Sequence, residues 1–416
     1  MRISIAIAAA VASLLVLVSA QAAALGQCGL IGYTSSPTPT AGYSSTRGSD
    51  YPSTTTSAMG YPTTGASDRT EIYFYPRFCI ANTKEPLDYP HPTLEPSGVT
   101  CSGATKFKYF GEPTVNQAGA EFAGGTVPGE LGTHYTWPTT TSIDYFLDIG
   151  MNTFRIPFLM ERMVPPAQGL AGTMDATYLA GLKKIATYVT GKGGYAVIDP
   201  HNYGRYNDKI ITDTAAFGTW CKNIAREFKS DPNIIFDTNN EFHNMDQTLV
   251  FDLNQACING IRAAGATSQL ILVEGNSWTG AWTWVSSGNA PSMMELKDPN
   301  NNIAFEMHQY LDADASGTSE SCVSSTVGEE RLTAATNWLK QNGKKGFLGE
   351  IGAGSNDACI AAVHGALCHM QQADGVWLGA LWWAAGPWWG TYFQSIEPPN
   401  GPSISRILPE ALMPFI

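Results

Sequence analysis

The sequence predicts an α/β protein whose main domain is a (β/α)8 TIM barrel, preceded by a signal peptide and a disordered Ser/Thr/Pro-rich linker. Three observations carry this expectation. From about Ala104 onward, short and nearly all-apolar segments alternate with helical patterns at roughly 30–50-residue spacing, as in a parallel barrel covered by helices. The polar residues of those segments gather at their C-terminal ends, where the βα loops of a barrel meet. A doubly wound open sheet, the competing fold, would carry a Gly-rich phosphate turn after its first strand, and this chain has none there.

The elements follow in order along the 416 residues. Arg2, an apolar run from Ile3 to Val18 and Ala20-Gln21-Ala22 give residues 1–24 the layout of a secretory signal peptide. A membrane anchor would need about 20 apolar residues in a row. Residues 25–33 contain Gly26-Gln27-Cys28-Gly29-Leu30-Ile31-Gly32-Tyr33, too short to fold without disulfide partners. Residues 34–103 read as linker and irregular segment: Thr34–Thr70 lacks the large apolar residues of a core, and Glu71–Ser97 is broken by five prolines. The barrel is expected over 104–416. Its first strand should run from Phe107–Phe110 on to Val115–Ala118, interrupted by Glu112-Pro113-Thr114, where proline is unwelcome in a central strand. The others are expected at Thr153–Phe158, Tyr195–His201, Ile234–Glu241, Leu270–Asn276, Ile303–Tyr310, Gly346–Ile351 and Trp377–Ala384, with helices such as Asp175–Gly191, Asp213–Ser230 and Gln247–Ala264 between them.

Composition narrows the function. A net charge of −12 argues against nucleic acid, which needs clustered Lys and Arg, and says little about a neutral polymer. No stretch after the leader is long and apolar enough for a bilayer, so no membrane partner is expected. Eight cysteines without a C-x-x-C pair suit an oxidising compartment and disulfides more than zinc. Cys221 with Cys257 is a plausible pair, and Cys322 could bond Cys359 or Cys368.

The candidate chemistry lies at the strand ends. Arg155 sits within strand two, His201-Asn202-Tyr203 follow strand three, and Asn240-Glu241-Phe242-His243 end strand four. His308-Gln309-Tyr310 end strand six, Glu350 strand seven and Trp383 strand eight. A single Glu at such a position is ordinarily a solvated loop residue; a pair inside a ring of Arg, His, Asn, Tyr and Trp is not. Two carboxylates across a cleft suit glycoside hydrolysis, provided their surroundings separate an acid from an ionised nucleophile. Trp278, Trp282, Trp383 and Trp388 lie just past strand ends and could stack on sugar rings, whereas Trp284, Trp382 and Trp389 read as core or wall. Tyr203 belongs to the same rim. His-x-His on the early strands, His-Glu-x-x-His and Gly-x-Ser-x-Gly are all missing, which disfavours metal-dependent and serine hydrolases. A carbohydrate-binding barrel without catalysis would have little reason to keep both glutamates.

Several segments resemble the signatures of family 5 glycoside hydrolases, in order and on the matching strands. These are Ile198-Asp199-Pro200-His201-Asn202-Tyr203, Asp237-Thr238-Asn239-Asn240-Glu241-Phe242-His243, His308-Gln309-Tyr310, Leu348-Gly349-Glu350 and Leu381-Trp382-Trp383. The resemblance covers about residues 105–416 and is strongest to the family's secreted fungal endoglucanases. It implies a retaining endo-β-1,4-glucanase with Glu241 as acid/base and Glu350 as nucleophile, their carboxyl groups about 5–5.5 Å apart. Asn240 would bind the sugar 2-OH, Arg155 and Tyr310 would hold Glu350 ionised, and His201 and His308 would line the site of the cleaved sugar. No cofactor and no metal are implied, and the expected partner of the monomer is cellulose or another β-glucan. Endo-β-1,4-mannanase and exo-β-1,3-glucanase share the carboxylate machinery and are the alternatives. Gly26–Tyr33 resembles the opening of the small fungal cellulose-binding module, cut short before its later cysteines and aromatics.

Overall fold

Eight stretches of β-branched and large apolar side chains form parallel strands that close into one barrel. They are β1 (Thr114–Gln117), β2 (Thr153–Phe158), β3 (Tyr195–Pro200), β4 (Ile234–Asp237), β5 (Ile271–Glu274), β6 (Ile303–Tyr310), β7 (Gly346–Gly352) and β8 (Trp377–Ala385). Each pairs with its sequence neighbours, and β1 closes the ring by pairing with both β2 and β8. The computed structural model describes Cys101, Phe107 and residues 114–416. The leader, the binding-module remnant, and the Thr34–Thr70 and Glu71–Ser97 stretches lie outside these residues, as do Glu112-Pro113 and, Phe107 apart, the Phe107–Phe110 part of the expected first strand; β1 includes Thr114, the last residue of the expected interruption.

Helices α1 (Thr140–Asp148), α2 (Ala176–Gly191), α3 (Thr214–Phe228), α4 (Gln247–Ala263), α5 (Asn289–Met293), α6 (Val327–Gln341) and α7 (Asp357–Gln371) occupy the connections. Five of them start on a side-chain cap, from Thr139, Asp175, Asp213, Asp246 and Asn356, each accepting a backbone N–H of the first turn. Cys221 of α3 bonds Cys257 of α4, and Cys322 bonds Cys359 of α7. Cys101, in the stretch read as linker, bonds Cys368 of α7, so the approach to the barrel is fastened to its outer layer.

The period-two alternation of the strands builds the interior in layers. Val197, Ile235, Leu272, Ala304, Phe347, Leu378 and Leu381 form a separate apolar cluster inside the barrel. Two residues further along β3, β4, β5 and β6 the inward side chain is a carboxylate: Asp199, Asp237, Glu274 and Glu306, all buried. On β7 the equivalent residue is Gly349, and any Cβ there would stand 1.7 Å from Glu306 Oε1. Next to it the β6–β7 register shifts between Met307 and His308, so that His308 pairs with Glu350. This irregularity turns Glu350, otherwise on the outward side of the alternation, toward the interior.

Four strands end earlier than the sequence pattern suggests, β1 by one residue at Gln117. β3 stops at Pro200, β4 at Asp237 and β5 at Glu274. On β4 the cause is local: Asp237 Oδ1 accepts the Asn239 N–H at 3.1 Å, which diverts the backbone from the ladder.

Candidate active site

Arg155 is the one arginine or lysine in the eight strands, and it is fully buried at the centre of the carboxylate layer. Its guanidinium lies within 2.9–3.1 Å of Asp199, Asp237, Glu274, Glu306 and Glu350. It also donates to Asn240 Oδ1 at 2.7 Å and to Asn116 Oδ1 at 3.2 Å. One guanidinium cannot neutralise five carboxylates at once. Burial, reinforced by Glu306 and Glu274, pushes Asp237 well above the usual carboxylate range, and burial with Glu306 does the same to Glu274. Asp199 goes the other way: Arg155 and His201 outweigh its burial and hold it low.

Glu350 stands above Arg155. Its Oε1 accepts from Nη1 of Arg155 at 3.0 Å, and its Oε2 accepts from the Tyr310 hydroxyl at 2.5 Å. Burial raises the Glu350 carboxyl, Glu241 adds to this, and His308, Arg155 and His201 pull against it. The expected helper Arg155 is therefore present, but with His308 and His201 it offsets the rise without reversing it, because burial is the larger effect.

Glu241 lies four residues past β4, in a left-handed backbone conformation with φ 48°. That conformation costs an L-residue about 1–2 kcal/mol. Its N–H donates to Glu274 Oε2 at 2.6 Å, and such a hydrogen bond contributes about 0.5–1.5 kcal/mol net, comparable to the strain it holds. The Glu241 side chain meets His308, with Oε1 2.8 Å from Nδ1, and the same nitrogen is 3.6 Å from Glu350 Oε2. Burial lowers the His308 pKa, but Glu350 and Glu274 outweigh it, and the imidazole is held well above its ordinary value. One oxygen of Glu241, one of Glu350 and a His308 nitrogen all lie within 4.8 Å of one another. Glu274, Glu306 and His308 also bring three ligand atoms together, and there the Arg155 guanidinium already supplies the positive charge.

Asn240 bridges the two halves of the site. Its Oδ1 is held by Arg155, so its amide N–H faces His201 Nε2 at 3.3 Å. His201 Nδ1 then faces Asp199 at 2.8 Å, and Trp383 stacks on the ring with centroids 5.3 Å apart.

The other expected residues separate into rim and support. Trp278 stacks on His243 at 4.5 Å and is still 48% exposed, while Trp282 is 49% exposed with the Arg331 guanidinium over its ring. Tyr203 packs edge-on against both His201 and His243. Trp284 and Trp382 are buried, as read from sequence. Trp388 is half-buried, and its neighbour Trp389 is the one that packs on Trp383 and Tyr392. Asn202 does not join the converging groups: its amide accepts the Met160 N–H and donates to Glu161. Its work is to fasten the β3 loop to the turn after β2. The sequence assigned no role to Asn116, Asp199, Asp237, Glu274 or Glu306; the one signal for the four acids was a single acidic residue within each of their apolar strands.

Residues 113–386 match the family model described as Cellulase (glycosyl hydrolase family 5). The chain is 55% identical over 296 residues to Endoglucanase 3 of Humicola insolens, covering 71% of this chain and 74% of that protein. It is 54% identical over 302 residues to endo-beta-1,4-glucanase B of Emericella nidulans, covering 73% and 90% respectively. Among solved structures, the endo-beta-1,4-glucanase Xac0029 of Xanthomonas axonopodis pv. citri superposes with a TM-score of 0.68 at 40% identity, over 72% of this chain and 98% of that one.

Proposed function

The chain belongs to the cellulases of glycosyl hydrolase family 5 and is an endo-β-1,4-glucanase, and we propose that it cleaves its glucan by retaining double displacement with Glu241 as acid/base and Glu350 as nucleophile. The observation that carries this reading is the approach of the two carboxyl groups. Oxygens within 4.8 Å match the roughly 5–5.5 Å separation of retaining enzymes, whereas inverting enzymes need about 6.5–9.5 Å to admit a water.

In the first step a Glu350 oxygen bonds to the anomeric carbon while the bond to the leaving oxygen breaks, and Glu241 gives that oxygen its proton. In the second, Glu241 removes a proton from water, whose oxygen displaces Glu350 from the sugar. In this reading Asn240, held by Arg155 and His201, binds the 2-OH, an interaction that strengthens as positive charge develops on the ring. Trp278, Trp282 and Trp383 supply stacking faces for the flat C–H surfaces of glucose units. Both carboxyl groups and their partners come from one chain, consistent with action as a monomer. Three disulfides and the pattern of residues 1–24 support export from the cell. Among the described residues no helix is long and apolar enough to cross a membrane.

Glu241→Gln and Glu350→Gln are expected to lower turnover of carboxymethyl-cellulose by at least about a hundredfold each. Near-normal turnover by either folded variant would overturn the assignment. With azide, Glu241→Ala should yield a β-glycosyl azide, because azide attacks the α-linked glycosyl-enzyme from the opposite face, and Glu350→Ala should yield the α-product. A panel of soluble cellulose, mannan, xylan and β-1,3-glucan measures substrate preference, with cellulose expected to be cleaved fastest.

A further inference from the structure

Glu241 must present its carboxyl to the leaving oxygen, yet it belongs to no strand or helix. Its position depends on the loop after β4, where Glu241 itself has φ 48° and Asn244 has φ 51°. The side chain of Glu241 touches His308, but its backbone is held by a different residue. Glu274 ends β5, the strand paired with β4, is fully buried, and accepts the Glu241 N–H at 2.6 Å. The other oxygen of Glu274 accepts from Arg155 Nη2 at 3.1 Å and lies 3.8 Å from His308 Nε2.

Glu274 is itself rigidly placed. Its carbonyl accepts from Asn254 Nδ2 at 2.9 Å, and Asn254 Oδ1 accepts from Thr238 Oγ1 at 2.7 Å. The ends of β4 and β5 are thus clamped together through α4. One carboxyl group therefore faces the backbone of the acid/base, the cation under the nucleophile and the imidazole between the two.

Resting on the assignment of Glu241 as acid/base, we infer that Glu274 is a positioning residue for the reaction: by holding the Glu241 N–H it fixes the left-handed backbone that aims the acid at the leaving group. Glu274 touches no substrate atom in this scheme, and no proton passes through it. Its loss should impair the delivery of the proton and leave the attack of Glu350 comparatively intact.

The test compares kcat/KM on two substrates that differ in their need for an acid. A cellobioside of 2,4-dinitrophenol leaves without protonation, whereas a cello-oligosaccharide does not. For folded Glu274→Ala, kcat/KM should fall by at least about a hundredfold on cellotetraose and by less than about threefold on the dinitrophenyl cellobioside. Azide should raise kcat of this variant on the activated substrate. Glu274→Gln, which keeps the volume and one acceptor oxygen, should show a smaller loss with the same selectivity, and it serves if the alanine variant does not fold. Equal losses on both substrates, or wild-type values on both, in either folded variant would overturn the inference. Glu241→Ala runs alongside. If it too lacks the leaving-group selectivity, the acid/base assignment has failed; if it shows the selectivity and the Glu274 variants do not, only the positioning role has failed.

Discussion

Tyr310 and Arg155 bind different oxygens of the same carboxyl group, and the weaker of the two partners is the easier to remove cleanly. Tyr310→Phe deletes the 2.5 Å hydroxyl donor from Glu350 and leaves the ring in place. A donor to the ionised form lowers an acid's pKa, so its loss raises the Glu350 carboxyl beyond the rise that burial already imposes. As the proposed nucleophile, Glu350 must be ionised, so the acid limb of the kcat/KM–pH profile should move to higher pH in this variant. A limb that stays in place or moves down would show that the hydroxyl does not tune Glu350. At this scale the structure brings together Arg155, Asn240, Glu241, His308, Tyr310 and Glu350, residues that the sequence singled out. Asn202 stands apart: its motif position matched a binding role, but its amide is engaged by Met160 and Glu161. Asp199, Asp237, Glu274 and Glu306 were given no role because each is one acidic residue in its own strand. Only the barrel register brings them around a single arginine.

The elements themselves were largely legible, since a buried parallel strand is an apolar run and a surface helix shows its period. Thr153–Phe158 and Ile303–Tyr310 have the expected limits. The register irregularity before Glu350 was not legible, because a shift between strands leaves no trace in either strand alone. Packing between helices is similarly hidden. Gly260 of α4 lies so near α3 that a Cβ would stand 2.1 Å from the Gly218 carbonyl oxygen. Gly260→Ala must push apart two helices that a disulfide holds together, and is expected to cost about 1–3 kcal/mol. Denaturant unfolding measures this, with kcat per folded molecule unchanged; an unaltered midpoint would mean that the helices separate freely.

For the molecule as a whole, the acidic groups with raised pKa make stability depend on pH in one direction. Glu397 illustrates the sign. Its carboxyl accepts from Ser142 Oγ and the Gly386 N–H, and burial lifts it from 4.5 to about 7. The folded chain then holds a proton that the unfolded chain releases near 4.5, so this contribution is present below that pH and is lost as pH rises through about 7. The protein is expected to melt at a higher temperature at pH 5 than at pH 8, and Glu397→Gln should narrow the difference. No narrowing would remove Glu397 from the account. The cystine between Cys101 and Cys368 has a different kind of consequence. It makes residues 101–368 one covalent ring, within which the Cys221–Cys257 and Cys322–Cys359 loops are nested. A protease that nicks a loop anywhere in that ring only opens it. Both fragments stay joined until the bond is reduced, so damage to a cleft loop need not detach β8 and its Trp383 from the rest of the barrel.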